Sequence, residues 1–484
     1  VDLPEVVIQQ LPTPEYPEGA MAAHLFGYVG QIQENQLQRP EFAKLETGAM
    51  IGQTGVERSY DSLLRGSDGS RMIAVNSRGR EVAKLGELEP VDGDRLQLTI
   101  DLDLQKALED AFVDAGYAGA GLMLDPRNGE VLALTSLPSY DPNAFAEGMD
   151  AAELARLNND PLKPFTNRVI QGAYSPGSAF KILMATAALE EGVITPEFTV
   201  NCPGHFTFGN RTFKCNLPGG AGHGVMDLRH AIEKSCNVFF YTLGSMMKVD
   251  TVHAWAQKMG LTGKTGIDLP NERDGLVPST DWATKVRKSP WYPGEMISVA
   301  IGQGPVTVTP VGLATMISTV ANGGTLVTPH LVKAVDRGQG WTPASGAAPR
   351  GQFFIRPDYL QAVRDGLWLV VNGAGTGGRA RVAGRDVSGK TGTAQVISNE
   401  GKKAAQGRTE RDLRDHGFFV FFAPRDAPEI AGIVFAEHGE HGSNAAAIAR
   451  HVIETYFAKK DGQPLPVLPP KPVLPKVGLP GAGQ

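Results

Sequence analysis

The chain has 484 residues, 42% hydrophobic and 20% charged, with a formal net charge of -6. That length exceeds one ordinary core and points to two or three domains of a soluble globular protein. The charge gives no reason to expect nucleic-acid binding, no apolar run reaches the roughly 18 residues that span a bilayer, and 58 glycines and 34 prolines promise many turns.

The chain opens at Val1, without a Met or a signal peptide, and reads as the start of a processed or truncated chain, any membrane anchor lying outside it. Residues 1–95, rich in Gly, Pro and charge, are expected to form a small, strand-rich, elongated region. It ends on the alternating run Asp94–Ile100, which predicts a strand. Asp101–Phe112 has apolar residues at 104, 108, 111 and 112, the spacing of a helix, with Asp101 as its N-cap. Two apolar runs then flank Asp125-Pro126-Arg127-Asn128-Gly129 and predict a β-hairpin. Helical patterns follow over 178–191 and 308–322, and buried strands over 418–424 and 430–438. Strands at both ends with helices between them predict an α+β domain, one antiparallel sheet covered by helices, over 96–460. From 461 the chain becomes a tail, with seven prolines among its last 22 residues, expected to be extended and mobile.

The chemistry starts at Ser178 and Lys181. At i and i+3 of a helix they share a face, and a buried lysine of lowered pKa can take the proton of a serine nucleophile. The helix N-terminus favours the negative charge that develops there. By itself Ser-x-x-Lys is weak, because chance supplies about one or two in a chain of average composition. Support comes from Ser235-Cys236-Asn237, with Cys where the signature has Asp, and from Lys390-Thr391-Gly392-Thr393, since Ser-x-x-Lys, a Ser-Asp-Asn triplet and Lys-Thr-Gly form one signature set of penicillin-interacting enzymes. A second Lys-Thr-Gly stands at Lys264-Thr265-Gly266, in a turn-like passage, and is read as structural. The copy at 390 is preferred because it opens a strand-like run to Ile397, where Gly392 lets a substrate backbone approach and the next amide can face an oxyanion.

With these motifs the chain resembles the class B penicillin-binding proteins, peptidoglycan D,D-transpeptidases, and most of all their elongation-type branch, penicillin-binding protein 2. The similarity also runs through "HLFGYVGQI" (24–32), "IGQTGVERSYDSLLRG" (51–66), "LDPRNGEVLAL" (124–134), "AIGQGPVTVTP" (300–310) and "DHGFFVFFAP" (415–424). It implies a pedestal of the dimerisation type over 1–95, incomplete at its start, and a transpeptidase domain over 96–460, on the periplasmic side of an inner-membrane protein. It implies acyl transfer from a D-Ala-D-Ala stem peptide to Ser178, with Lys181 as base and the amides of Ser178 and Thr393 as oxyanion hole. Ser235 and Lys390 would move a proton to the departing D-Ala, Asn237 would hold a substrate amide, and Thr391 and Thr393 would bind the terminal carboxylate. A β-lactam would trap Ser178, and the expected partners are a membrane glycosyltransferase and other elongation proteins. A division-type transpeptidase, a carboxypeptidase and a serine β-lactamase or β-lactam sensor share much of this signature. A non-enzymatic scaffold is opposed by the intact motif residues.

Three cysteines, Cys202, Cys215 and Cys236, fall within 35 residues and cannot all pair. With His223 they would make a tetrahedral zinc site, and the resemblance adds that some elongation-type relatives carry zinc beside the active site. Cys236 would then anchor the Ser235–Asn237 turn to a metal. His205 is a weaker ligand. The alternative is a Cys202–Cys215 disulfide with Cys236 as a buried thiol.

Overall fold

The computed structural model describes residues 13–43, 45–344, 347–395 and 414–468. Apolar runs such as Ile430–Ala436 make strands buried on both faces, and with the polar strand Ser388–Ala394 five strands form the central antiparallel sheet. Its spatial order is Ser388–Ala394, His416–Ala423, Ile430–Ala436, Gly119–Leu124, Val131–Leu137. The hairpin expected at Asp125 is present: the Asp125 carboxylate accepts the Arg127 amide at 2.8 Å, and Gly129 turns the chain at φ 89°. Ile430–Ala436 pairs with Gly119–Leu124, so early and late parts of the sequence share one sheet. Among the described residues, Ser388–Ala394 lies at the sheet edge, paired on one side only.

Helices cover this sheet. Leu102–Ala115 starts where its N-cap predicts: the Asp101 carboxylate accepts the amides of Asp103 and Leu104 at 3.0 and 3.3 Å, and Gly116 ends it at φ 72°. It packs on the long helix Gly442–Lys460, which also rests on the sheet. Helix Pro310–Asn322, buried from Pro310 to Ala321, packs on the central strands. A helix apolar on every side must lie between layers.

The described residues of the N-terminal part carry four strands and as many short α-helical turns. Val29–Gln31 pairs with Met50–Gly52, and Ser70–Val75 with Glu81–Leu88 in a largely exposed hairpin. The turns are Ala23–Phe26, Glu34–Leu37, Gly55–Ser59 and Asp61–Leu64, so helical turns share a region expected to be rich in strands. Side chains tie it to the rest: His24 Nε2 to the Pro164 carbonyl at 2.7 Å, and the Tyr60 hydroxyl to Asp268 at 2.6 Å. No helix among the described residues is long and apolar enough to cross a membrane. Of the proline-rich tail, 463–468 has no regular structure; its remainder, and the end of the strand run expected to Ile397, lie outside the described residues.

Candidate active site

Ser178 does not open an α-helix. Gly177–Phe180 is a 3-10 turn, and the α-helix begins at Lys181 and runs to Glu190. The turn is tight because it is wedged. Gly177 has φ 52°, its amide donates to the Gly302 carbonyl at 3.0 Å, and a Cβ on it would stand 2.3 Å from the Thr393 carbonyl oxygen. Only glycine fits there. A Cβ on Gly392 would likewise stand 2.8 Å from the Pro176 carbonyl oxygen. Ser178 is thereby pressed against the edge strand that carries Lys390, Thr391 and Thr393.

Lys181 is fully buried. Its Nζ donates to the Ser235 carbonyl at 2.7 Å, to Ser235 Oγ at 3.0 Å and to Asn237 Oδ1 at 2.7 Å, and lies 5.3 Å from the centre of the Phe240 ring. Burial pulls its pKa down to about 7, against an opposing pull from Cys236 and Cys215. The two acceptor residues flank a sharp corner between helices Leu228–Glu233 and Asn237–Met246, where Ser235 sits at φ 55°, in the left-handed region. A non-glycine residue held there is strained, and such strain gathers at functional sites. Lys390, also fully buried, donates to the Thr391 carbonyl at 3.0 Å and is held well below the usual lysine range by burial, then by the charge of Lys181.

Ser178, Ser235, Asn237, Thr391 and Thr393 line one open cleft of about 730 Å³. Lys181 and Lys390 sit beneath this lining. Gly392 lies in the strand between the two threonines. The cleft is also walled by Lys214, Tyr241, Gln303, Thr376, Asp415 and His441, which the motif reading did not single out. Gln303 and Asp415 stood inside quoted family passages, whereas Thr376, within a glycine-rich loop, carried no sequence signal. The second Lys-Thr-Gly lies apart from the cleft. The buried Glu272 carboxylate accepts the amide and hydroxyl of Thr265, both at 2.6 Å, and the amide of Gly266 at 3.0 Å, so that copy is a turn built on a carboxylate.

Cys202, Cys215, His223 and Cys236 converge, with one ligand atom from each lying within 4.8 Å of the others. His223 Nδ1 is 3.5 Å from Cys202 Sγ and 3.4 Å from Cys215 Sγ, and the Cys215 and Cys236 sulfurs are 3.9 Å apart. A tetrahedron with Zn–S bonds of about 2.3 Å has sulfur–sulfur edges of about 3.8 Å, so the four donors fit zinc in type and spacing. All three thiols are free, and the Cys202–Cys215 disulfide is not formed. The Cys236 thiol, hydrogen-bonded to Cys215, pulls Cys215 down toward the thiolate and is itself pushed up by the same contact. Cys215 also lines the cleft. His205, exposed on the strand His205–Phe208, stands outside the cluster.

Comparison with known proteins agrees along the chain. Residues 119–454 match the Penicillin binding protein transpeptidase domain, and residues 1–98 the Penicillin-binding Protein dimerisation domain. The peptidoglycan D,D-transpeptidase MrdA of Acinetobacter baumannii is 35% identical over 463 residues, 96% of this chain and 68% of that protein. The crystal structure of Pseudomonas aeruginosa PBP2 in complex with WCK 5153 superposes with a TM-score of 0.79 at 35% identity, covering 93% of this chain and 92% of that one. Helicobacter pylori PBP2, solved in complex with MreC, gives 0.81 at 30% identity over 93% of this chain and 80% of the other. With an edge strand, a serine turn and a Ser-x-Asn corner meeting in one cleft, and with matches over nearly its whole length, the chain belongs to the penicillin-binding protein transpeptidases, among relatives of the MrdA (PBP2) type.

Proposed function

We propose that this chain cross-links peptidoglycan stem peptides during cell elongation, as a serine D,D-transpeptidase acylated at Ser178. The observation that carries the assignment of residues is the Lys181 ammonium group, buried and bonded to Ser235 and Asn237 beneath the cleft that Ser178 lines. Three acceptors suit three protons, yet burial holds the group near neutrality, so a neutral Lys181 is within easy reach.

In the proposed reaction, Ser178 Oγ bonds to the carbonyl carbon of the penultimate D-Ala while its proton passes to neutral Lys181. The oxyanion rests on the amides of Ser178 and Thr393. Collapse breaks the bond to the terminal D-Ala, and its amine takes a proton delivered through Ser235, with Lys390 nearby. Asn237 holds a substrate amide, Gly392 gives the peptide room, and the Thr391 and Thr393 hydroxyls bind the terminal carboxylate. The amine of a neighbouring stem peptide then attacks the acyl carbon and releases Ser178. No step needs a cofactor. A β-lactam, acylating the same serine, would leave it blocked.

Zinc held by Cys202, Cys215, His223 and Cys236 would act as a structural cross-link. Its effect falls on the chain itself: Cys236 fixes the corner that presents Ser235 and Asn237 to Lys181. We also place the pedestal at 1–95, the transpeptidase domain at 96–460 and the tail at 461–484. Pairing of Arg95–Leu98 with Val332–Asp336 supports that first boundary. The active site is assigned to the periplasm, at an inner-membrane assembly containing a glycosyltransferase and elongation proteins. The MreC complex of the Helicobacter pylori relative supports such partners.

The test is mass spectrometry of the protein with benzylpenicillin. A lasting adduct that maps to Ser178 and is missing from Ser178→Ala supports the reading. Rapid hydrolysis of the adduct would point to a lactamase, and no adduct would refute the assignment.

A further inference from the structure

We infer that Thr376 is a positioning residue for the carboxylate end of the donor stem peptide, acting through the hydroxyl of Thr391. The inference rests on the transpeptidase reading above. Thr376 lies in the short loop after helix Pro357–Asn372, and its Oγ1 is 2.5 Å from Thr391 Oγ1. Both residues line the cleft.

The loop is held rigidly to the other half of the site. The Ala374 amide donates to the buried Glu233 carboxylate at 2.8 Å, and the Ala374 carbonyl accepts from Lys234 Nζ at 2.7 Å. Those two residues directly precede Ser235. The Gly377 amide closes back on the Val370 carbonyl at 2.9 Å, and a Cβ on Gly375 would stand 2.5 Å from Val370 Cα. Thr376 thus stands on a support shared with the Ser235 corner and bonds to the edge strand. It links the two walls between which a substrate lies.

The chemistry follows from counting protons. Two hydroxyls in one hydrogen bond have one donor and one acceptor. With Thr391 donating, its lone pairs face the cleft and repel a carboxylate. With Thr376 donating, the Thr391 proton is free to point at the ligand. A bound carboxylate selects the second arrangement, and a chain from Thr376 to Thr391 to the anion strengthens each of its bonds. Thr376 therefore holds the rotamer of Thr391 and, once a carboxylate is bound, acts as the donor that frees the Thr391 proton for it.

The test compares acylation of the full chain by benzylpenicillin, which bears a free carboxylate, and by its methyl ester, which does not. For Thr376→Val the second-order rate with the acid should fall about tenfold, while the ester rate changes by less than about twofold, and Thr376→Ser should restore the acid rate. If the valine variant melts early, Thr376→Ala is read for the same acid-to-ester ratio. An equal fall for both probes would mean that the loop only supports the fold, and an unchanged ratio would also overturn the assignment. Wild-type protein acylated by neither probe would remove the transpeptidase reading, and this inference with it.

Discussion

Replacing Gly177 by alanine tests whether contact between the serine turn and the edge strand sets the reaction geometry. The new Cβ would stand 2.3 Å from the Thr393 carbonyl oxygen, against the 3.0 Å below which real Cβ atoms essentially never come. Turn and strand must therefore part by at least about 0.7 Å, and Thr393 is the residue assigned an oxyanion amide. The left-handed φ of 52° adds about 1–2 kcal/mol of strain. A misplacement of about 1 Å costs about 10²-fold in rate, so acylation by a fluorescent penicillin should slow by one to two orders of magnitude. Gly192 provides the control: it has φ 67°, just beyond the same helix, with nothing within 4 Å of its Cβ position. Gly192→Ala should lower the melting temperature by a few degrees and leave the acylation rate unchanged. If Gly177→Ala acylates within about threefold of wild type, or if both alanines slow the reaction alike, the packing argument is wrong.

Three further outcomes are expected. Lys181 works as a base only when neutral, and its pKa is about 7, so the acylation rate should rise with pH to a plateau with a midpoint near 7; a profile flat across that range would remove Lys181 as the base. Elemental analysis should find one zinc per chain, and Cys236→Ser or a strong chelator should lower both the melting temperature and the acylation rate; a zinc-free, reduced chain of full activity would sink the metal reading. Lys264→Ala should acylate within about twofold of wild type while Lys390→Ala loses about 10²-fold or more, and the reverse pattern would exchange the two motifs.

The convergence of the motif residues on one cleft was legible because they are particular residue types at fixed spacings. Ser178 and Lys181 declare themselves as neighbours on one turn, and Ser235 and Asn237 as the two sides of one corner. Strand context separates the two Lys-Thr-Gly copies, since a strand pattern follows Lys390 while Lys264 sits among turn residues. Shape was less legible. Apolar spacing cannot tell a 3-10 turn from the first turn of an α-helix, and the turn at Ser178 is forced by Gly302 and Thr393, both far away in the chain. Thr376 escaped notice for the same reason: its partner, Thr391, and the Glu233 that holds its loop are brought near by folding alone. The cysteines were intermediate: their number and closeness suggested a cluster, and folding brings them together with His223 as free thiols.

The two buried lysines constrain the proposed proton path further than either does alone. Burial opposes charge on both, and a charged Lys181 opposes charge on Lys390. The hydrogen bonds favour a proton on Lys181. Lys181 has three acceptors around it, and Lys390 has the Thr391 carbonyl. In the proposed path the proton taken from Ser178 would pass to Lys181, and Ser235 Oγ, 3.0 Å away, would offer a relay toward the leaving amine. Charge on Lys181 disfavours charge on Lys390, which would make Lys390 the weaker donor in that step. Its bond to the Thr391 carbonyl would instead orient the edge strand, and a relay role for Ser235 would give a physical reason for fixing Ser235 in a strained conformation between two helices.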